Sequence, residues 1–228
     1  MIASTSPQKT VASTGWKPAT WEDYECYRDS LPDRGRHQIY FHNGYLKADD
    51  MGWEGIRHSE VRELFALILG LWFITHSDQT AKSLGGCLME KAGRQAAAPD
   101  LVLYLGDGAP NWKSGEKRRI NLDTFRVPDL VGEVSDTSLA SDLNEMKSLY
   151  AALGIPEYWI INAKDYKVLA FQLQPNGQYQ PIETSTVLSR LPISLLEQAL
   201  NRLTEETNIT AATWFMQALT RSSEILVM

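Results

Sequence analysis

RVPDLVGEVSDTSLASDLNEMKSLYAALGIPEYWII, residues 126–161, constrains the fold of this chain more than any other stretch. It reads as a buried strand, a helix and a second strand. Asp129 and Glu133 interrupt the first strand, and Lys147 interrupts the apolar side of the helix. A shorter echo, APDLVLYL at residues 98–105, again sets an acid, Asp100, at the mouth of an apolar run. Charges are costly in such places unless they are paired or bind something.

The elements around this stretch follow from their own signals. HQIYFHNGYLKA holds two strand-like runs about Asn43-Gly44, the strongest short hairpin signal. From about Arg57 to His76, the residues Val61, Leu64, Phe65, Ile68, Leu71 and Trp72 recur at helical spacing. LGGCLME and PDLVLYL are short apolar runs punctuated by Gly or Pro. Residues 142–153 form a helix, with Ser141 or Asp142 placed to cap it and Gly154 to end it. EYWII and KVLAFQLQ flank a turn at NAKDY, a hairpin. Residues 192–228 are helical in composition, with a break near Asn208. The core order is helix, strand, strand, strand, helix, strand, within an α/β or mixed-sheet (α+β) domain. Three regions are expected: a loosely ordered arm at 1–20, the main domain at 21–190 and a helical extension at 191–228.

Composition narrows the function. A net charge of −6 gives no global sign of nucleic acid or of an anionic membrane surface, although a local basic patch is compatible with either. Two cysteines, Cys26 and Cys87, make no disulfide framework and suit a reducing compartment. The longest apolar stretch, LFALILGLWFI, is too short to span a bilayer and reads as a core helix. With no targeting signal in the Ser/Thr-rich opening, a cytoplasmic protein without membrane contact is expected.

On a strand, Asp129 and Glu133 share a face, but their Cα atoms lie roughly 13 Å apart at ~3.3 Å per residue. One divalent ion, with oxygen ligands at about 2.0–2.6 Å, cannot be gripped by both. If Glu133 holds a metal, the second carboxylate comes from a neighbouring strand, and Asp100 is the obvious donor. Two acids on adjacent strands make an oxygen-rich pocket suited to Mg²⁺ or Mn²⁺. Lys147, on one helix stripe with Leu143 and Tyr150, either snorkels past the core or reaches the mouth of that pocket. There it would hold an attacking water or offset charge on a phosphoryl oxygen.

The run PD…E-x-x…K in this order of elements resembles the PD-(D/E)XK nuclease superfamily, whose core is the restriction-endonuclease-like fold. Within it, PDLVGEVSDTS…D…K…Y…GIPEYWII is similar to the Uma-two family, a domain formerly of unknown function that is abundant in cyanobacteria. The likeness covers roughly residues 37–174. It implies a metal-dependent endonuclease acting on DNA, with Asp100 and Glu133 as the motif's acids and the Val134 carbonyl as a further metal ligand. Lys147 would replace the usual strand lysine, for which this chain has Ser135. Related nucleases often pair so that two sites face two strands, which makes a homodimer possible while the sequence leaves the oligomeric state open. The alternative is a non-catalytic descendant serving as an interaction or regulatory module.

Bland readings compete at each residue. Asp129 is left as a turn residue, Asp142 as a helix cap, and Glu60 and Glu63 as solvated surface, while His58 is placed to line the pocket. KSGEKRR at 113–119, the only dense basic run, is read as an exposed loop with a phosphate-tracking role in a nuclease as the alternative. The seven tryptophans are read as packing rather than base-stacking platforms.

Overall fold

In the computed structural model, residues 15–32, 37–50 and 54–225 are described. Residues 1–14 of the expected arm lie outside them, while residues 15–20 are built into the fold. Strand β1 (Lys17–Pro18) pairs with the later hairpin, and Thr20 caps helix α1 (Trp21–Ser30) through a capping box with Asp23. Strands β2 (His37–His42) and β3 (Tyr45–Asp50) turn on Asn43 and Gly44, whose φ values of 50° and 76° suit a two-residue hairpin turn. Helix α2 (Ile56–Thr75) follows, then β4 (Ala81–Leu84), β5 (Met89–Lys91), β6 (Gln95–Ala97), β7 (Leu101–Leu105) and β8 (Ile120–Asn121). Strand β9 (Leu130–Ser135) leads into one helical stretch: α3 (Leu139–Ser141), a π-helical turn (Asp142–Met146) and α4 (Lys147–Leu153). Strands β10 (Glu157–Asn162), β11 (Lys167–Leu173) and β12 (Tyr179–Ile182) and helices α5 (Ile193–Asn201) and α6 (Asn208–Ile225) complete the elements among the described residues.

The strands form two six-stranded sheets, in the orders β1-β3-β2-β6-β5-β8 and β12-β11-β10-β9-β7-β4. In the second, β9 and β10 are parallel across the helical connection, while β7–β9 and β10–β11 are antiparallel. The sheet is therefore mixed. The NAKDY turn closes as the spacing predicts, because the Asn162 side-chain oxygen accepts from the backbone of Lys164 and Asp165 at 3.1 Å each.

Side-chain alternation divides the core. Leu101 and Leu103 face one side of the second sheet with Val61, Leu64, Phe65 and Ile68 of α2. Val102, Tyr104 and Val131 face the other side, toward α4 and residues of the first sheet such as Tyr40 and Met89. Strands β9 and β10 are buried along their whole length, which explains their near-continuous apolar sequence. The C-terminal helices are no appendage, since Leu196, Leu200, Ala212 and Phe215 join the α2 cluster. A boundary at residue 190 would cut through that core. Among the described residues no helix is long and apolar enough to cross a membrane.

Candidate active site

Strand register brings the two principal acids together. Leu101 pairs with Gly132 in the antiparallel β7–β9 ladder, so one step further sets Asp100 opposite Glu133. Each is held by the other strand: the Val134 amide donates to Asp100 Oδ2 at 2.9 Å, and the Asp100 amide donates to Glu133 Oε2 at 3.3 Å. In extended backbone a residue's amide and carbonyl point to the same edge, so the Val134 carbonyl also faces Asp100. Both acids are buried, 4% and 5% exposed. Close approach of the 85–86 turn completes the enclosure. A Cβ on Gly85 would lie 2.6 Å from the Asp100 carbonyl oxygen.

Three other elements reach these carboxylates. Tyr150 of α4 donates its hydroxyl to Glu133 Oε1. Gln38 of β2 donates to Asp100 Oδ1 at 3.0 Å. His58, in the first turn of α2, lies between Asp100 Oδ2 at 3.1 Å and Glu54 Oε1 at 2.7 Å, and Arg62 binds the same Glu54 oxygen at 2.7 Å. The sequence points to His58 at the pocket and to Tyr150 on the helix stripe, but gives Tyr150 no role at the acids and does not single out Gln38 or Glu54. Tyr150 had a usable signal: a hydroxyl on a helix stripe aimed at a strand carrying a buried acid.

The electrostatics are those of crowded negative charge. Burial raises the Glu133 pKa well above the carboxylate range; the charges of Asp100 and Asp142 add to this, and hydrogen bonds from Tyr150 and the Asp100 amide oppose it. Asp142 is raised too, chiefly by burial, against the Ser138 and Ser135 hydroxyls and the charge of Lys47. Asp142 is thus not a cap, and neither is Ser141. The helix starts at Leu139, and Asp142 opens the π turn with its carboxylate inward, accepting from Ser138 at 2.6 Å. Burial disfavours the His58 imidazolium, but Asp100 and Glu54 outweigh it and hold the pKa above its ordinary value.

Lys147 is the principal departure from expectation. Its ammonium stands 3.8 Å from the centroid of the Phe171 ring on β11, not at the acids, and burial lowers its pKa. Strand β10 lies between β11 and β9, so two strand spacings, roughly 10 Å, separate that ring from Glu133's strand. Lys47 of β3, buried and 5.4 Å from the Tyr40 ring, is the lysine whose charge is felt by Asp142. Ser135, in the superfamily's lysine position, is itself buried. Asp129 stays outside the site, accepting from the Leu105 amide at 2.7 Å and from Arg126 at 2.8 Å.

Asp100 opens onto a cavity of about 490 Å³ lined also by His37, Gln38, Arg62, Glu63 and Gly85. Glu63 is exposed and paired with Arg62 at 3.0 Å, and Glu60 is half-buried. Among the described residues, no three His, Cys, Asp or Glu side chains converge in metal-ligating geometry. The oxygen atoms that could hold a cation here are those of the Asp100 and Glu133 carboxylates and the Val134 carbonyl. That set suits Mg²⁺, which is held by one or two carboxylates and keeps several waters, better than a cation needing a full protein cage.

A family model described as "Putative restriction endonuclease", Uma2, matches residues 21–207. No curated protein matches the chain. Among solved structures, the crystal structure of "a putative nuclease belonging to DUF820 from Anabaena variabilis ATCC 29413" aligns with a TM-score of 0.53 at 17% identity. That alignment covers 80% of this chain and 99% of the other. At such identity the likeness shows the fold, which is the mixed α+β restriction-endonuclease-like architecture.

Proposed function

This chain belongs to the Uma2 family, and from that premise we propose that it is a metal-dependent endonuclease hydrolysing DNA phosphodiester bonds. One observation carries the reading: Asp100 and Glu133 are buried side by side on adjacent strands, with Glu133 forced toward its protonated form by burial and by the acids around it. Such repulsion is relieved by a cation. Asp100, Glu133 and the Val134 carbonyl would hold Mg²⁺ or Mn²⁺, which when bound supplies a Lewis acid and lowers the pKa of water.

The protein's own groups set the geometry. Tyr150 fixes one oxygen of Glu133, and Gln38 and His58 fix the carboxylate of Asp100 at the mouth of the cavity. His58, whose two acidic neighbours favour its charged form against the cost of burial, would when protonated place positive charge next to where a phosphoryl group would enter. The test is incubation of supercoiled plasmid with Mg²⁺, Mn²⁺ or EDTA. Wild type is expected to nick only with metal, and Asp100→Asn and Glu133→Gln to lose about 10²-fold or more, as for removal of a charge-stabilising group. Absence of nicking by wild type with both metals would refute the reading. A second reading, a non-catalytic module on the same fold, is favoured by Lys147 lying on Phe171 instead of at the acids. The same assay decides between them.

A further inference from the structure

A second cavity, of about 540 Å³, lies beyond the acidic one and shares Leu84 with it as a common wall. Its volume falls within the ~300–1,000 Å³ range of ligand sites. It is lined by Lys82, Lys117, Arg118 and Arg119 together with Trp112 and Phe125. The run 113–119 carries four basic residues against one acid, so this surface is locally cationic on a chain of net charge −6.

Its loop is anchored at both ends. Lys82 Nζ donates to the Pro110 carbonyl at 2.9 Å and to the Asn111 side chain. Arg119 Nε lies 2.6 Å from Glu90, a buried carboxylate also bound by Arg28 at 2.9 Å. Between these anchors Trp112 donates its indole N–H to the Glu116 carbonyl at 3.0 Å, yet the residue is 61% exposed. A large ring whose polar atom is already satisfied, kept at the surface beside cations, has its face available for stacking. Lys117 and Arg118 stand exposed next to it.

From this geometry we propose that the groove between β4 and residues 107–119 binds an unpaired stretch of the nucleic acid whose phosphodiester reaches Asp100. Trp112 would stack on a base, and Lys117 and Arg118 would neutralise phosphates. An unpaired strand is specified because a base inside a duplex has both faces covered by its neighbours, whereas base–aromatic stacking on a single strand contributes about 1–3 kcal/mol per base. The identity of the ligand rests on the nuclease reading above, while the groove itself does not.

The experiment measures binding without cleavage. Full-length Glu133→Gln protein in EDTA is titrated into a 5′-labelled single-stranded oligonucleotide and into its duplex, read by fluorescence anisotropy. Adding Trp112→Ala is expected to weaken single-strand binding by about 5- to 150-fold, the equivalent of one lost stack. Trp112→Phe should stay within about threefold of the parent, and duplex binding should change little. Neutralising Lys117 and Arg118 to Gln should reduce the slope of log affinity against log salt by about 1.4, at ~0.7 per single-strand phosphate contact. All three are surface positions, and circular dichroism checks that the variants fold. Unchanged single-strand binding by Trp112→Ala, equal losses on duplex, or no binding by the parent would overturn the proposal. Plasmid nicking by wild type alongside any of these results would leave the nuclease reading standing. Normal Trp112-dependent binding without nicking would refute that reading and keep the groove.

Discussion

Glu133→Gln separates electrostatic cost from packing, because the amide has the shape of the carboxyl group it replaces. In the metal-free protein at pH 8, Glu133 faces Asp100 directly across the β7–β9 ladder, where opposed side chains have Cβ atoms about 4.5–5.5 Å apart. Two unit charges ~5 Å apart at an effective dielectric of ~20 repel by about 3 kcal/mol. Asp142 adds to this. Glutamine can keep both existing bonds: its carbonyl accepts from the Asp100 amide and its NH₂ donates to the Tyr150 oxygen, provided that hydroxyl reverses its role. Some of the relief is lost in that reversal. The expected gain is therefore roughly 1–3 kcal/mol, or several degrees in Tm at ~2–4 °C per kcal/mol for a chain of this size.

The sign depends on pH in a fixed direction. Because the folded pKa of Glu133 is raised, the folded state holds its proton more tightly than the unfolded chain. The penalty is absent below the unfolded value near ~4.3 and grows as pH rises toward the folded value. The Tm advantage of Glu133→Gln should thus shrink toward zero near pH 4 and open out above it. Mn²⁺ or Mg²⁺ at a hundredfold excess over Kd should stabilise wild type by about 2.7 kcal/mol and the variant hardly at all. Thermal melts across pH and metal concentration measure both effects. A variant less stable than wild type at pH 8 without metal, or one keeping the full metal response, would refute the reasoning.

Three further outcomes are expected. Lys147→Met should leave plasmid nicking within about twofold of wild type and cost only the ~0.5–1 kcal/mol of a cation–π contact, because its ammonium rests on Phe171; a hundredfold loss of nicking would show that it reaches the acids in the working complex. Gly85→Ala should cost about 1–3 kcal/mol through overpacking and depress nicking as well, since its Cβ would displace the Asp100 backbone that it would meet at 2.6 Å; an unchanged urea midpoint would contradict this. Glu157→Ala should cost at least about 3 kcal/mol, at ~1–3 kcal/mol per stranded donor, because Trp159, the Thr186 hydroxyl and the amides of Thr186 and Val187 all donate to that carboxylate.

Much of the fold was legible because its signals are local. Asn43-Gly44 declared a hairpin, the α2 periodicity declared a core helix, and the largely apolar runs of β9 and β10 declared buried strands. The partition into two sheets was not legible. It rests on β5, β6 and β8, strands of two or three residues, and on a parallel pairing of Met89 with Ile120 across a long loop. No periodicity can be read from so few residues. Nor does helical composition at the C-terminus say what α5 and α6 cover, since that depends on α2 presenting an apolar face to them.

The pairing of Asp100 with Glu133 was readable because it follows from strand alternation and ionic radius, both insensitive to fine geometry. The reading of Lys147 failed for a geometric reason. Residues 143, 147 and 150 share one side of a helix only loosely, since three residues of α-helix turn through about 300°, which leaves Lys147 some 60° around the axis from Tyr150. The π turn at Asp142–Met146 adds a further offset, for each of its residues advances the chain by less than the ~100° of an α-helix. Once Tyr150 is fixed on Glu133 and Met146 is buried, the rotation that remains sends Lys147 toward β11 and the Phe171 ring. The same π turn carries Asp142 inward, where it becomes a third buried acid instead of a solvated cap. The π turn therefore sets a negative charge beside the acids, while α4 carries its lysine to Phe171 and brings no positive charge to them. Positive charge near them then has to come from elsewhere in the fold: from His58 on α2, which touches Asp100, and from Lys47 on β3, whose charge reaches Asp142.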